Sequence, residues 1–109
     1  MTDRELLELA AKAAGITYDG EDEGGHAMWF VPELSRYCYW NPLTDDGDAM
    51  RMAVKLRLEV VHLEGGGTDV IRWVNGLESV HVCESGADPY AATRRAIVRA
   101  AAELGRAMK

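Results

Sequence analysis

The chain has 109 residues, 48% hydrophobic and 28% charged, which suits one globular domain over 1–109 with a single modest core and excludes a disordered or fibrous chain. Twelve basic against eighteen acidic residues leave a net charge of −6, which opposes wrapping a phosphate backbone and makes nucleic acid a disfavoured partner. Arg51, Lys55 and Arg57 interrupt the longest apolar stretch, so no run reaches the roughly 20 residues of a membrane span.

At the N-terminus Leu6, Leu9, Ala10 and Ala13 recur at helical spacing and Gly15 follows, which predicts a helix over Asp3–Ala14. Acidic residues among these leucines do not read as a secretory signal. The expected compartment is the cytoplasm, with Cys38 and Cys83 as free thiols. Tyr18–Gly25 is acidic and glycine-rich and reads as a turn or mobile loop. His26–Val31 reads as a strand, and Leu34–Trp40, aromatic but without a clean period, as irregular chain.

Three aspartates in Asp45–Asp48, followed by the stripe Ala49, Met52, Ala53 and Leu56, predict a second helix over Asp46–Leu56 with its carboxylates at the positive end of the dipole. Leu58–Leu63, Thr68–Val74 and Leu77–Cys83 read as strands, the last two joined by Asn75-Gly76 as an antiparallel hairpin. Asp88 and Pro89 open a third helix over Pro89–Ala107. The element order is α-β-α-β-β-β-α, an α+β fold with a mainly antiparallel sheet flanked by helices. Alternation on the last three strands assigns Val61, Leu63, Ile71, Trp73, Val80 and Val82 to one core face. The other face then takes Val60, His62, Val70, Arg72, Val74, His81 and Cys83, which are too apolar to be wholly solvated. A half-apolar second face predicts a homo-oligomer.

Trp40-Asn41-Pro42-Leu43-Thr44-Asp45-Asp46-Gly47-Asp48-Ala49, running into Met50–Leu58 and echoed by Asp88–Gly105, resembles the phage α/β/α sandwich domain family, small phage and prophage proteins. The resemblance covers most of the chain, from about the first helix to the C-terminus. It implies a phage or prophage origin and a helix/sheet/helix fold, and it implies no reaction.

Residues 1–84 hold 7 basic and 16 acidic groups, while residues 85–109 hold 5 basic and 2 acidic. The last helix is thus the basic element, with Arg94, Arg95 and Arg99 forming a stripe. The bland reading is a solvated face paired with acidic neighbours. The functional reading is a site for a small anionic or nucleotide ligand, gripped by Arg94, Arg95 and Arg99 and stacked by Trp40 or Tyr90. Trp73 is expected in the core, and Trp29 or Trp40 as an anchor for a partner, such as a host protein.

The leading expectation is accordingly an accessory protein that acts by binding, with no cofactor and no metal. His62, His81 and Cys83 raise a rival, a Cys/His or metal-dependent hydrolase, although no zinc or protease motif completes it. Asp45, Asp46 and Asp48 lack the alternation and closing glutamate of a calcium loop. Gly65-Gly66-Gly67 leads into a strand and lacks the lysine of a phosphate loop. The order α-β-β-β-α also matches a double-stranded-RNA-binding domain, against which the acidic charge argues.

Overall fold

The computed structural model describes residues 1–108, and it has three helices, α1 (Asp3–Ala14), α2 (Asp46–Lys55) and α3 (Pro89–Ala107). Strands β1 (Thr17–Glu21), β2 (Ala27–Val31) and β3 (Arg36–Cys38) form one antiparallel sheet, and β4 (Glu59–His62), β5 (Thr68–Val74) and β6 (Leu77–Glu84) form a second. The α+β class and the antiparallel pairing stand as expected. The strands divide between two sheets, because two segments read as loop and irregular chain are strands. Tyr18–Gly25 begins within β1, which pairs with β2, and Leu34–Trp40 contains β3, which closes the same sheet. None of the helices among the described residues is long and apolar enough to cross a membrane.

Local chemistry accounts for the element ends. Thr2 and Glu5 form a reciprocal capping box on α1, and Gly15 closes it in the left-handed region at φ 72°. Asp45 and Asp88 cap α2 and α3 through their carboxylates. The end of α2 is set by Arg57, which takes the left-handed conformation usual for glycine, at φ 56°. Its N–H donates to Val54 O at 3.2 Å and that of Leu58 to Ala53 O at 2.9 Å, so β4 starts after the helix and not as a continuation of it.

Helices α1 and α3 pack through small side chains. Ala10, Ala11 and Ala14 on α1 and Ala96, Ala100, Ala101 and Ala102 on α3 are buried, so the backbones come close. One face of β5 and β6 lies on α3, contributing Val70 and Val82 to the core, and Trp29, Val31 and Trp40 join the same cluster.

The face assignment of the second sheet is corrected by its register. Asn75 and Gly76 both have positive φ, as a tight hairpin turn requires, and they pair Val74 with Leu77 and Trp73 with Glu78. A bulge then places Arg72 opposite Val80, Ile71 opposite His81 and Val70 opposite Val82. The extra residue, Ser79, shifts the pairing by one, and a one-residue shift exchanges the faces. Thr68, Val70, Val80 and Val82 therefore share the covered face. Trp73, expected in the core, is 50% exposed on the other.

Candidate functional site

The segment Trp40–Ala49 builds the entrance to α2. Asn41 Oδ1 accepts from Leu43 N–H at 3.0 Å, and its carbonyl accepts from Thr44 and Asp45 N–H at 3.1 and 2.9 Å. Asp48, buried, accepts from Asn41 N–H at 2.9 Å and from Arg51 Nη2 at 2.6 Å, while Asp45 accepts from Asp48 N–H at 2.7 Å. With Trp40 and Pro42 also buried, this signature is scaffold. Two of its three aspartates are spent on capping and on holding Asn41. Among the described residues no group of three or more acidic, histidine or cysteine side chains is placed to hold a metal ion.

The third aspartate, Asp46, faces a cleft of about 490 Å³. The N-terminal turns of α2 and α3 and the β4–β5 loop bound it. Met50, Leu63, Tyr90 and Ile97 give it apolar walls, and Asp46, His62, Thr68, Thr93 and Arg94 its polar groups. Ile97 is buried, whereas Met50, Leu63 and Tyr90 are 59%, 42% and 69% exposed, so the mouth carries the apolar surface. Thr93 donates to Pro89 O at 2.8 Å, which leaves Thr68 to donate to Thr93 Oγ1 at 2.9 Å. That chain ties β5 to the first turn of α3.

Arg94 is held in a fixed direction. Its Nε donates to Leu43 O at 2.9 Å and its Nη1 to Asp46 Oδ1 at 2.7 Å. The arginine side chain is 17% exposed and its aspartate partner 70%, so the guanidinium belongs to the wall and the carboxylate to the solvent.

The structure brings together only part of the ligand set expected from sequence. Tyr90 and Arg94 share the cleft. Trp40 does not reach it: the ring is 3% exposed and stands edge-on to Trp29, with centroids 5.2 Å apart. Arg95 and Arg99 face another groove, of about 280 Å³, with Met1, Leu6, Glu103 and Arg106. There Arg95 pairs with Asp3 at 3.2 Å, Arg106 with Glu103 at 3.3 Å, and Arg99 with Glu84. One residue of helix is a 100° turn, which separates Arg94 from Arg95 and Arg99. Sequence reasoning missed Asp46, Met50 and Leu63 as cleft residues, because the β4–β5 loop meets α2 only through the tertiary fold.

The hydrolase constellation is not assembled either. His62 pairs with Thr68 and so lies on the covered side, while His81 and Cys83, opposite Ile71 and Asp69, lie on the open side. A hydrogen bond to the Asp69 carboxylate, with some desolvation, pushes the Cys83 thiol above its ordinary pKa, the reverse of an activated nucleophile. Substituting Asp69→Asn is therefore expected to speed alkylation of Cys83 by iodoacetamide several-fold at pH 8, since the thiolate is the reacting form. An unchanged rate, followed by mass spectrometry, would show that Asp69 does not hold the proton.

No protein-family model, curated protein or solved structure matches this chain, so the cleft is read from its own geometry.

Proposed function

We infer that this chain is an accessory protein of phage or prophage origin, acting in the host cytoplasm by binding a small anionic ligand with a flat apolar body, in the cleft between α2, α3 and the β4–β5 loop. The observation that carries this reading is the pair of Arg94 and Asp46. The guanidinium is oriented by Leu43 O and offered to an exposed carboxylate of the chain itself. The carboxylate side of the pair stands in solvent, where ion pairing contributes little, so a ligand carboxylate or phosphate can take the place of Asp46 while Leu43 O keeps the arginine aimed.

The walls support the rest. A cleft of about 490 Å³ falls within the roughly 300–1,000 Å³ of ligand pockets, which are mostly apolar with few polar groups. Tyr90 offers a ring face for stacking, Met50, Leu63 and Ile97 close the sides, and His62 adds a polar side chain to the lining. The nucleotide class fits this combination of planar body and anionic tail.

Two substitutions with opposite signs test it. In a thermal-shift screen of nucleotides, a true ligand at 100 times its dissociation constant adds about 2.7 kcal/mol of stability. Arg94→Gln should weaken that ligand about tenfold or more, the loss of one charge-assisted contact. Asp46→Asn should strengthen it, because the competing carboxylate is gone. A screen without a hit, or affinities that both variants leave unchanged, would discard the cleft as an anion site.

Self-association is part of the same reading. Met50 and Val54, one turn apart on α2 and 59% and 69% exposed, offer a second copy an apolar ridge beside the cleft. Light scattering that gave a clean monomer across micromolar concentrations would remove the homo-oligomer.

A further inference from the structure

The second sheet covers only one of its faces. On the other, strands β4, β5 and β6 present Glu59, Val61, Asp69, Ile71, Trp73, Glu78, His81 and Cys83, placed together by the registers Glu59–Ile71–His81, Val61–Asp69–Cys83 and Trp73–Glu78. The helix contacts of this sheet come from α3, on the opposite side. Antiparallel sheets with one solvated face usually alternate polar outward. Here a tryptophan stands half-exposed on the central strand, whereas Ile71 two residues away is buried. Burying an indole is among the larger single gains available to an interface, so an exposed one on a regular strand calls for an explanation.

Charge selects the occupant. Among the described residues the open face carries three carboxylates, one per strand, and no lysine or arginine; Arg72 points to the covered side, where its Nε donates to Leu56 O at 3.2 Å. His81, the remaining basic side chain there, lies 3.4 Å from Asp69 Oδ2 and 3.2 Å from Glu78 Oε1. Glu78 is the direct cross-strand partner of Trp73, so a cation lying on the indole has a carboxylate beside it. Ring face and adjacent anion are the two elements of cation recognition. A second copy of the chain would set these carboxylates against their own images, and a nucleic acid would meet the same repulsion.

We propose that the open face of β4–β5–β6 is a docking surface for an arginine-bearing segment of a partner protein, with a guanidinium stacked on Trp73 and paired with Glu78, and an apolar side chain on the half-buried Val61. Arginine suits this place better than lysine, because its planar, weakly hydrated head stacks on an aromatic face and keeps its edge for a carboxylate. The surface is separate from the cleft, which lies among α2, α3 and the β4–β5 loop, so either can fail without the other.

The test uses the intact chain and a short synthetic peptide alternating arginine and valine. Trp73 is the half-exposed indole, while Trp29 and Trp40 are 2% and 3% exposed, so tryptophan emission reports this face. Saturable quenching is expected, with Glu78→Gln weakening the peptide about fivefold or more and the distant Glu23→Gln leaving it unchanged; Trp73→Leu, which removes the reporter, is titrated by calorimetry and should weaken the peptide by at least as much. A lysine–valine peptide should bind more weakly than the arginine one. Three results would overturn the proposal: no saturable binding, equal weakening by Glu23→Gln and Glu78→Gln, which marks general attraction to the net charge, or Trp73 emission that changes on dilution with a dimer in sedimentation, which assigns the face to a second copy.

Discussion

Gly105→Ala is expected to destabilise the fold by about 3 kcal/mol, against the usual gain of about 1 kcal/mol for that exchange inside a helix. A Cβ built on Gly105 would lie 1.9 Å from the carbonyl oxygen of Leu9, 2.8 Å from its carbon and 3.3 Å from its Cα. These are backbone atoms of α1, which no side-chain rotation can move aside. The helices would have to part along the interface formed by Ala10, Ala14, Ala101 and Ala102, all nearly inaccessible, and every loosened contact there loses dispersion energy. For a domain of this size each kcal/mol lowers the melting temperature by roughly 4–8 °C. The melting temperature should therefore fall by about 12–24 °C. Gly86→Ala is the control, since its Cβ meets nothing within 4 Å, and an equal loss there would refute the close-approach explanation.

Trp40→Ala is expected to cost about 3–5 kcal/mol, the range for removing a large aromatic from a core. The indole packs edge-on against Trp29, which in turn meets Tyr18 at 5.2 Å, with the Arg4 guanidinium 4.4 Å over the Tyr18 ring. Removing Trp40 empties the buried end of this stack and loosens the entrance to α2, where Asn41 and Asp48 are bonded. Chemical denaturation should show a lower midpoint. Trp40→Phe should recover much of the loss, as a ring of smaller volume refills most of the space. A variant that kept its stability and lost nucleotide binding would return Trp40 to the ligand set and overturn its placement as scaffold.

The parts of the fold legible in the sequence are those decided within a few residues. Thr2, Gly15, Asp88 and Pro89 bound α1 and α3 where the helical spacing predicts, and Asn75-Gly76 makes the hairpin, because caps and tight turns are chosen by local backbone and side-chain chemistry. Tyr90 and Arg94, a turn apart on α3, were legible as neighbours for the same reason. The strands β1 and β3 were not, since Tyr18–Gly25 and Leu34–Trp40 carry weak local preference and gain their order from pairing with β2. The signature around Trp40 was visible as a pattern, but its role as a helix entrance depends on Asn41 meeting Asp48 across a turn.

The sequence by itself determined the class, the three helices, the β5–β6 hairpin, the acidic balance and the concentration of arginines on the last helix, all of which follow from composition, periodicity and capping. Only the tertiary structure decided which side chains meet. One extra residue at Ser79 shifted the register and turned Trp73 outward, an effect no composition signals because the bulge is a property of the pair of strands. The helical phase of α3, fixed by the approach of Gly105 to Leu9, sent Arg94 to the cleft and Arg95 and Arg99 to the groove beside α1. Local propensity sets the elements, whereas long-range packing sets their rotation and register, and it is rotation and register that bring Asp46, Met50 and Leu63 around Arg94.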